Sequence, residues 1–327
     1  MSYKILVAKN TIPEAMEYLN NLGYELEQLE QPKSNVWKKQ LEDCDGFLMD
    51  SGIRCDEQIL KSARKLQVIG KNSVGLDLID VEAASRFGIW VTHVPGSNTR
   101  STAEHTMAML LGCAKKLVTM DRLTRLGQWP RQEMTTYDIY GKTLGIIGMG
   151  RIGTMVASMA RDGFGMKIIG YDPMADPDIK KRYEMADSAD QLLEQSDYVS
   201  LHVPLTKETK GIICRERLNK MKPEAYLINC ARGELVDEQD LCEALRDGII
   251  RGAAIDAYTK EPVDVDNPLL KQDNVILSPH NAAFTNETLV RMWMRAAMGI
   301  HQVLSGIQPE WPANEPSCPR SGVLYGK

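Results

Sequence analysis

Short apolar runs alternate with amphipathic stretches along nearly the whole chain. In the first third these runs fall at residues 3–8, 46–50, 67–70 and 89–92. Between the first two, PEAMEYLNNLG opens with Pro13 and stops at Gly23, the proline-first, glycine-last order of a helix. A second series starts near Lys142 and ends at Ser278-Pro279-His280, with apolar runs at 167–171, 226–230, 252–256 and 274–278. Strands alternating with helices predict an α/β protein with parallel sheets covered on both faces. The stretch PGSNTRSTAEHTMAMLLGCAKK, residues 95–116, breaks the rhythm. Ser101-Thr102-Ala103-Glu104 has capping-box spacing, and the helix expected after it is apolar nearly all round, which predicts burial. Residues 118–140 show no period and read as a loop or arm. A last helix is predicted from Asn286 to about Leu304, folding back onto the first domain, followed by an irregular tail with four prolines.

The chain's 327 residues exceed what one hydrophobic core usually serves, so two domains are expected. The boundaries read as 1–98 completed by 286–327 for a flavodoxin-like substrate domain, and 99–285 for a dinucleotide-binding domain. Composition is that of an ordinary globular protein, with 43% apolar and 25% charged residues. A net charge of −5 with interspersed signs argues against nucleic acid or an anionic membrane as partner. MSYKILVA reads as a first strand rather than a secretory leader. Seven dispersed cysteines without ligand spacing predict reduced thiols, a cytoplasmic location and no structural metal.

The strongest local signal is KTLGIIGMGRIGTMVASMARDGFGMKIIGYD. Gly148-x-Gly150-x-x-Gly153 is weak alone, but an apolar strand precedes it and a helical pattern follows. A second strand then ends at Asp172, 19 residues beyond Gly153. Gly148 permits a tight turn, Gly150 lets the backbone approach a pyrophosphate, and Gly153 lets helix pack on strand. The helix N-terminus offers unpaired amides to the phosphates. Asp172 suits an adenosine ribose diol and repels a 2′-phosphate, so NAD is expected over NADP. The alternative is a structural turn without a ligand.

Ligands of open parallel sheets bind beyond the carboxyl ends of the strands. Arg232, Glu261 and His280 follow three successive strand candidates there. A guanidinium suits a carboxylate, and an imidazole can exchange a proton near neutrality. A carboxylate behind that imidazole fixes its tautomer and favours its charged form. Singly, each has a plain reading: a solvated arginine, a loop glutamate, a strand-capping histidine.

Together these segments resemble the D-2-hydroxyacid dehydrogenases. The resemblance runs in the family's order through SVGLDLIDVEAASRFGI, VPGSNTRSTAEHT, GKTLGIIGMGRIG, SDYVSLHVPLTKETKGII, LINCARGELVDEQDL, GAAIDAYTKEP and SPHNAA, over nearly the whole chain. It implies two Rossmann-like, doubly wound parallel-sheet domains with a cleft between them that holds the active site, and a homodimer formed through the cofactor domain. Arg232 would bind the substrate's carboxylate and carbonyl oxygen, His280 would be the general acid/base and Glu261 its partner. Val74, Gly75 and Asn98 would belong to the substrate loops. NAD would lie on Gly148, Gly150, Arg151, Ile152, Gly153 and Asp172, with His202, Pro204, Thr209 and Cys230 along its path. Asp256 would meet the nicotinamide carboxamide.

The expected reaction is reduction of a small 2-keto acid, such as hydroxypyruvate or glyoxylate, to the D-2-hydroxy acid. The phosphoglycerate dehydrogenase branch is similar, but it places an arginine for the substrate phosphate where this chain has Asp50, with Arg54 nearby. Formate dehydrogenases of the superfamily carry glutamine at the position of Glu261. A dinucleotide-sensing corepressor on the same fold is the alternative of a different class.

Overall fold

The computed structural model describes residues 3–30, 36–50, 52–131 and 134–322. It divides into two compact units: the chain up to Asn98 with the segment from Phe284 onward, and Thr99–Ala283. Among the described residues, no helix is long and apolar enough to cross a membrane.

In the first unit, β1 (Lys4–Val7), β2 (Glu25–Gln28), β3 (Gly46–Met49), β4 (Val68–Lys71) and β5 (Trp90–Thr92) form a parallel sheet in the order β2-β1-β3-β4-β5. β3 and β4 are buried throughout, so apart from Lys71 their side chains are apolar on both faces rather than alternating. One face packs Phe47, Leu60, Ile69 and Val91. The other packs Ile5, Leu48, Val68 and Trp90 against Trp293, Ala296 and Ile300 of the helix Asn286–Leu304. That helix seats backbone on strand: a Cβ at Gly70 would lie 2.6 Å from the Ala296 carbonyl oxygen.

In the second unit, seven parallel strands run β12-β11-β10-β9-β6-β7-β8. They are β6 (Thr143–Ile147), β7 (Lys167–Tyr171), β8 (Glu184–Met185), β9 (Tyr198–Leu201), β10 (Tyr226–Asn229), β11 (Gly252–Ile255) and β12 (Val275–Leu277). The chain builds outward from β6 on one side and from β9 on the other, so the topological switch point lies between those two strands. The helix Thr99–Lys115 covers one face, where Ala103, Met107, Leu110 and Cys113 join Ile146, Ile228 and Ala254 in one core.

Two local expectations need correction, and one strand was not expected at all. Ser101 and Glu104 form no capping box, because the helix starts at Thr99 and leaves both residues inside it; Glu104 pairs instead with Arg100 at 2.9 Å. Within 118–140 lies most of a helix, Leu117–Arg125, none of whose residues is buried, so its apolar positions mark no core-facing stripe. β2 escaped notice because ELEQ is an edge strand with mostly polar side chains. The described part of the tail is irregular, as expected, but it is tied to β5: Ala313 donates its amide to the Val91 carbonyl at 2.7 Å, and Val91 donates to the Asn314 side chain at 2.7 Å.

Candidate active site

The glycine turn sits at the switch point. β6 is buried from Leu144 to Ile147 and delivers the chain into Gly148 at φ +98°. A Cβ on Gly148 would come within 2.6 Å of the His202 backbone just past β9, and one on Gly153 within 2.0 Å of the Gly148 oxygen. These two glycines are therefore demanded by packing. Gly150 is different: nothing lies within 4 Å of its Cβ position, and its φ of −77° suits any residue. Yet it caps the helix Arg151–Ser158, whose first amides have no side-chain cap. Open space above uncapped amides is what a dinucleotide pyrophosphate needs, so the turn fits the cofactor. Replacing Gly150 with Val should leave the melting temperature within about 2 °C, since an exposed site without lost contacts shifts stability little. NADH binding, read by fluorescence titration, should weaken by about 10-fold or more. Unchanged affinity would show that nothing binds over this turn.

Around the turn, Arg151 is exposed and Ile152 half-buried. Asp172, just beyond β7, accepts the Met149 amide on Oδ2 and the Met174 amide on Oδ1, both at 2.9 Å. Each oxygen keeps a lone pair for a ribose hydroxyl. Past β9, the His202 Nε2 lies 2.8 Å from the Ser200 hydroxyl, and burial pushes its ring down to about 4, so it is neutral at pH 7. Thr209 donates its hydroxyl to the Pro204 carbonyl at 2.6 Å, closing the loop between them. Cys230 follows β10; burial pushes its thiol up to about 12, which makes it a poor nucleophile.

The three charged residues lie beyond neighbouring strands β10, β11 and β12. Asn229 is buried and shapes the first turn, accepting the Ala231 amide at 3.0 Å and donating to the Arg232 carbonyl at 2.8 Å. A Cβ on Gly233 would lie 1.9 Å from the Tyr258 backbone, so the next turn closes tightly on the loop after β11. Arg232 donates from Nη1 to the Ala231 carbonyl at 2.8 Å. Glu261 accepts the Tyr258 amide at 3.0 Å, and both its oxygens lie 2.8 Å from the His280 Nδ1.

That contact commits Nδ1–H to the carboxylate and leaves Nε2 as the nitrogen that exchanges a proton. The hydrogen bond to Glu261 raises the His280 pKa above its ordinary value; burial and the Arg232 charge oppose it, while the Asp256 charge adds to it. Burial pushes the Glu261 carboxyl up, but the His280 and Tyr258 hydrogen bonds outweigh it and hold the carboxyl below its usual range. An imidazole held in one tautomer with a guanidinium charge acting on it is an arrangement that can serve as a general acid/base.

Asp256, read from the resemblance as a carboxamide ligand, is fully buried, and both its oxygens accept protein donors. Ser278, Asn281 and Ala282 supply these donors. His105, whose Nε2 lies 3.1 Å from the Ser278 hydroxyl, was not singled out from the sequence; it stands 173 residues away, and no local pattern marks it. In the first unit, the carbonyls of Val74 and Gly75 are engaged by His93 Nδ1 at 3.1 Å and by the Ser73 hydroxyl at 3.0 Å, which fixes the loop after β4. Asn98 ends that unit's first segment.

Residues 107–282 match the NAD binding domain of the D-isomer specific 2-hydroxyacid dehydrogenases. Two similar curated relatives are a D-3-phosphoglycerate dehydrogenase of Methanocaldococcus jannaschii and a glyoxylate reductase of Korarchaeum cryptofilum. The first is 40% identical over 97% of this chain and 60% of its own length. The second is 41% identical over 86% of each. A crystallised Thermus thermophilus protein superposes with a TM-score of 0.89 at 37% identity, over 95% of this chain and all of its own. The chain thus belongs to the D-isomer specific 2-hydroxyacid dehydrogenase family, and its second unit is the NAD-binding domain. It spans only about three fifths of the length of the M. jannaschii relative.

Proposed function

We propose that the protein is an NAD-dependent dehydrogenase interconverting a small 2-keto acid, of the glyoxylate or hydroxypyruvate kind, with its D-2-hydroxy acid. The observation that carries this is the His280–Glu261 pair beyond β12 and β11, next to Arg232 beyond β10. When bound, NADH supplies hydride to the carbonyl carbon. Arg232 holds the substrate carboxylate and polarises the carbonyl oxygen by charge-assisted hydrogen bonds. His280 gives the Nε2 proton to that oxygen as negative charge grows on it, and takes it back in the reverse direction. Glu261 keeps the imidazole in the donating tautomer and stabilises its charged form. Asp172 accepts the adenosine ribose, and Val74, Gly75 and Asn98 contribute to substrate binding.

An unphosphorylated substrate is favoured by Asp50, half-buried at the end of β3, whose Oδ1 accepts the Gly52 amide at 2.9 Å. The ammonium of buried Lys71 is turned to the Asp50 carbonyl. A carboxylate at the position where the phosphoglycerate dehydrogenase branch carries its phosphate-binding arginine would repel a substrate phosphate. The exposed Leu117, Val118, Leu126 and Trp129 of the cofactor domain support pairing of two copies through that domain. Free cysteines fit a cytoplasmic location.

NADH consumption across glyoxylate, hydroxypyruvate and phosphohydroxypyruvate tests the reading. The unphosphorylated acids should give kcat/KM at least about 10-fold above the phosphorylated one, one 1.4 kcal/mol step of repulsion. The reverse order would make the protein a phosphoglycerate dehydrogenase. Tight NADH binding with no consumption of any would make it a dinucleotide sensor.

A further inference from the structure

His280 has φ +53°, a left-handed backbone that disfavours any side chain with a Cβ. Such a residue persists only where its surroundings over-determine it. Asp256 does most of this. Its Oδ1 accepts the Ser278 hydroxyl at 2.5 Å and the Asn281 amide at 2.8 Å, and its Oδ2 accepts the Ala282 amide at 3.0 Å. The Tyr258 hydroxyl adds a bond to the Ser278 carbonyl at 3.0 Å. All these groups belong to the loops that follow β11 and β12.

His105 reaches them from the covering helix Thr99–Lys115. Its Nε2 is 3.1 Å from the Ser278 Oγ and 3.5 Å from the Asp256 Oδ1. A serine hydroxyl has one proton, and here it goes to the carboxylate. The oxygen can then only accept from the ring, so the His105 Nε2 carries hydrogen. His105 thereby fixes the hydroxyl's rotation and keeps the buried carboxylate's Oδ1 fully supplied with donors. Burial pushes the Asp256 carboxyl up, but hydrogen bonds from His105, Ser278 and the two amides outweigh it and hold it at about 2. An ionised carboxylate under this turn is therefore constant across working pH.

We infer that His105 is a positioning residue for the reaction: through the Ser278 hydroxyl and the Asp256 carboxylate it holds the left-handed turn that presents the His280 imidazole. The inference rests on the dehydrogenase reading of the site. The role differs from that of Glu261, which bonds the imidazole itself. It asks of position 105 a hydrogen-bond donor. A glutamine amide can take over that role, whereas a phenylalanine fills the same space without a donor.

The test compares H105F, H105Q and Ser278→Ala in the full chain, with two readouts. The first is kcat for keto-acid reduction with saturating NADH. The second is the titration of the His280 ring followed by NMR without substrate, where Glu261, Asp256 and Arg232 are the charges acting on it. H105F should lower kcat by about 10-fold or more, a scale set by loss of alignment of a proton donor. KM for NADH should stay within about 2-fold. Its His280 titration should fall toward the ordinary value of about 6.5, as the pairing with Glu261 loosens. H105Q should regain most of the kcat, and S278A should reproduce the titration change, with no further change in the double variant. Parent-like kcat and titration in H105F would overturn the inference, as would an H105Q no better than H105F. If H105F fails to fold, a parent-like titration in S278A overturns it equally. Should the parent reduce no keto acid, the dehydrogenase reading fails, while the titrations still decide whether His105 holds the turn.

Discussion

Replacing His280 with alanine is expected to lower kcat for keto-acid reduction by about 100- to 10,000-fold, the usual span for a positioned general acid. NADH affinity should change by no more than about 2-fold, because the ring lies beyond β12 while the glycine turn follows β6. The pH profile carries a second signature. His280 has its pKa raised by Glu261, so the protonated ring persists above the ordinary histidine value. Reduction should hold at low pH and fall as pH rises through that raised value; oxidation of the hydroxy acid should rise over the same interval. Glu261→Gln removes the carboxylate, and both breaks should then move to lower pH. An unchanged kcat in the alanine variant, or unmoved breaks in the glutamine variant, would take the proton donor away from this pair.

The pair also links pH to stability. The raised His280 pKa contributes stability that is complete below the unfolded value of about 6.5 and is lost as pH climbs through the folded value. The lowered Glu261 pKa contributes stability above its unfolded value of about 4.5 and loses it as pH falls through the folded one. The pairing is therefore fully expressed between those two unfolded values.

Arg232→Ala is expected to cost about 2–5 kcal/mol in kcat/KM, roughly 30- to several-thousand-fold, the range for removing one partner of a hydrogen-bonded charge pair. KM for the keto acid should rise together with the fall in kcat if, as proposed, the guanidinium holds the ground-state carboxylate and also meets the oxygen that gains charge. Lysine should restore little, since a single ammonium cannot reproduce a planar pair of donors. Steady-state kinetics on glyoxylate decides it. Saturation behaviour matching the parent would place the carboxylate clamp on another residue.

Much of this was legible in the chain alone, for a physical reason. Strands buried on both faces leave continuous apolar runs, and β3, β4, β10 and β11 were found within a residue of their observed ends. The glycine spacing was legible because two of its three positions admit no Cβ. Arg232, Glu261 and His280 were legible because each follows such a run. What escaped was whatever lacked a local signature. β2 is polar, the helix Leu117–Arg125 has no fully buried residue, and the capping-box spacing at Ser101 matched a motif that the earlier start of the helix forbids.

The chain by itself determined the class of fold, the glycine turn and the three charged candidates, because burial and backbone sterics write themselves into residue type at short range. Only the tertiary structure decided how those candidates are held. It joined Glu261 to His280, placed Asp256 beneath the turn after β12 and brought His105 to Ser278 from 173 residues away. Hydrogen bonds of that kind depend on which strand lies beside which, and spacing along a chain carries no record of it.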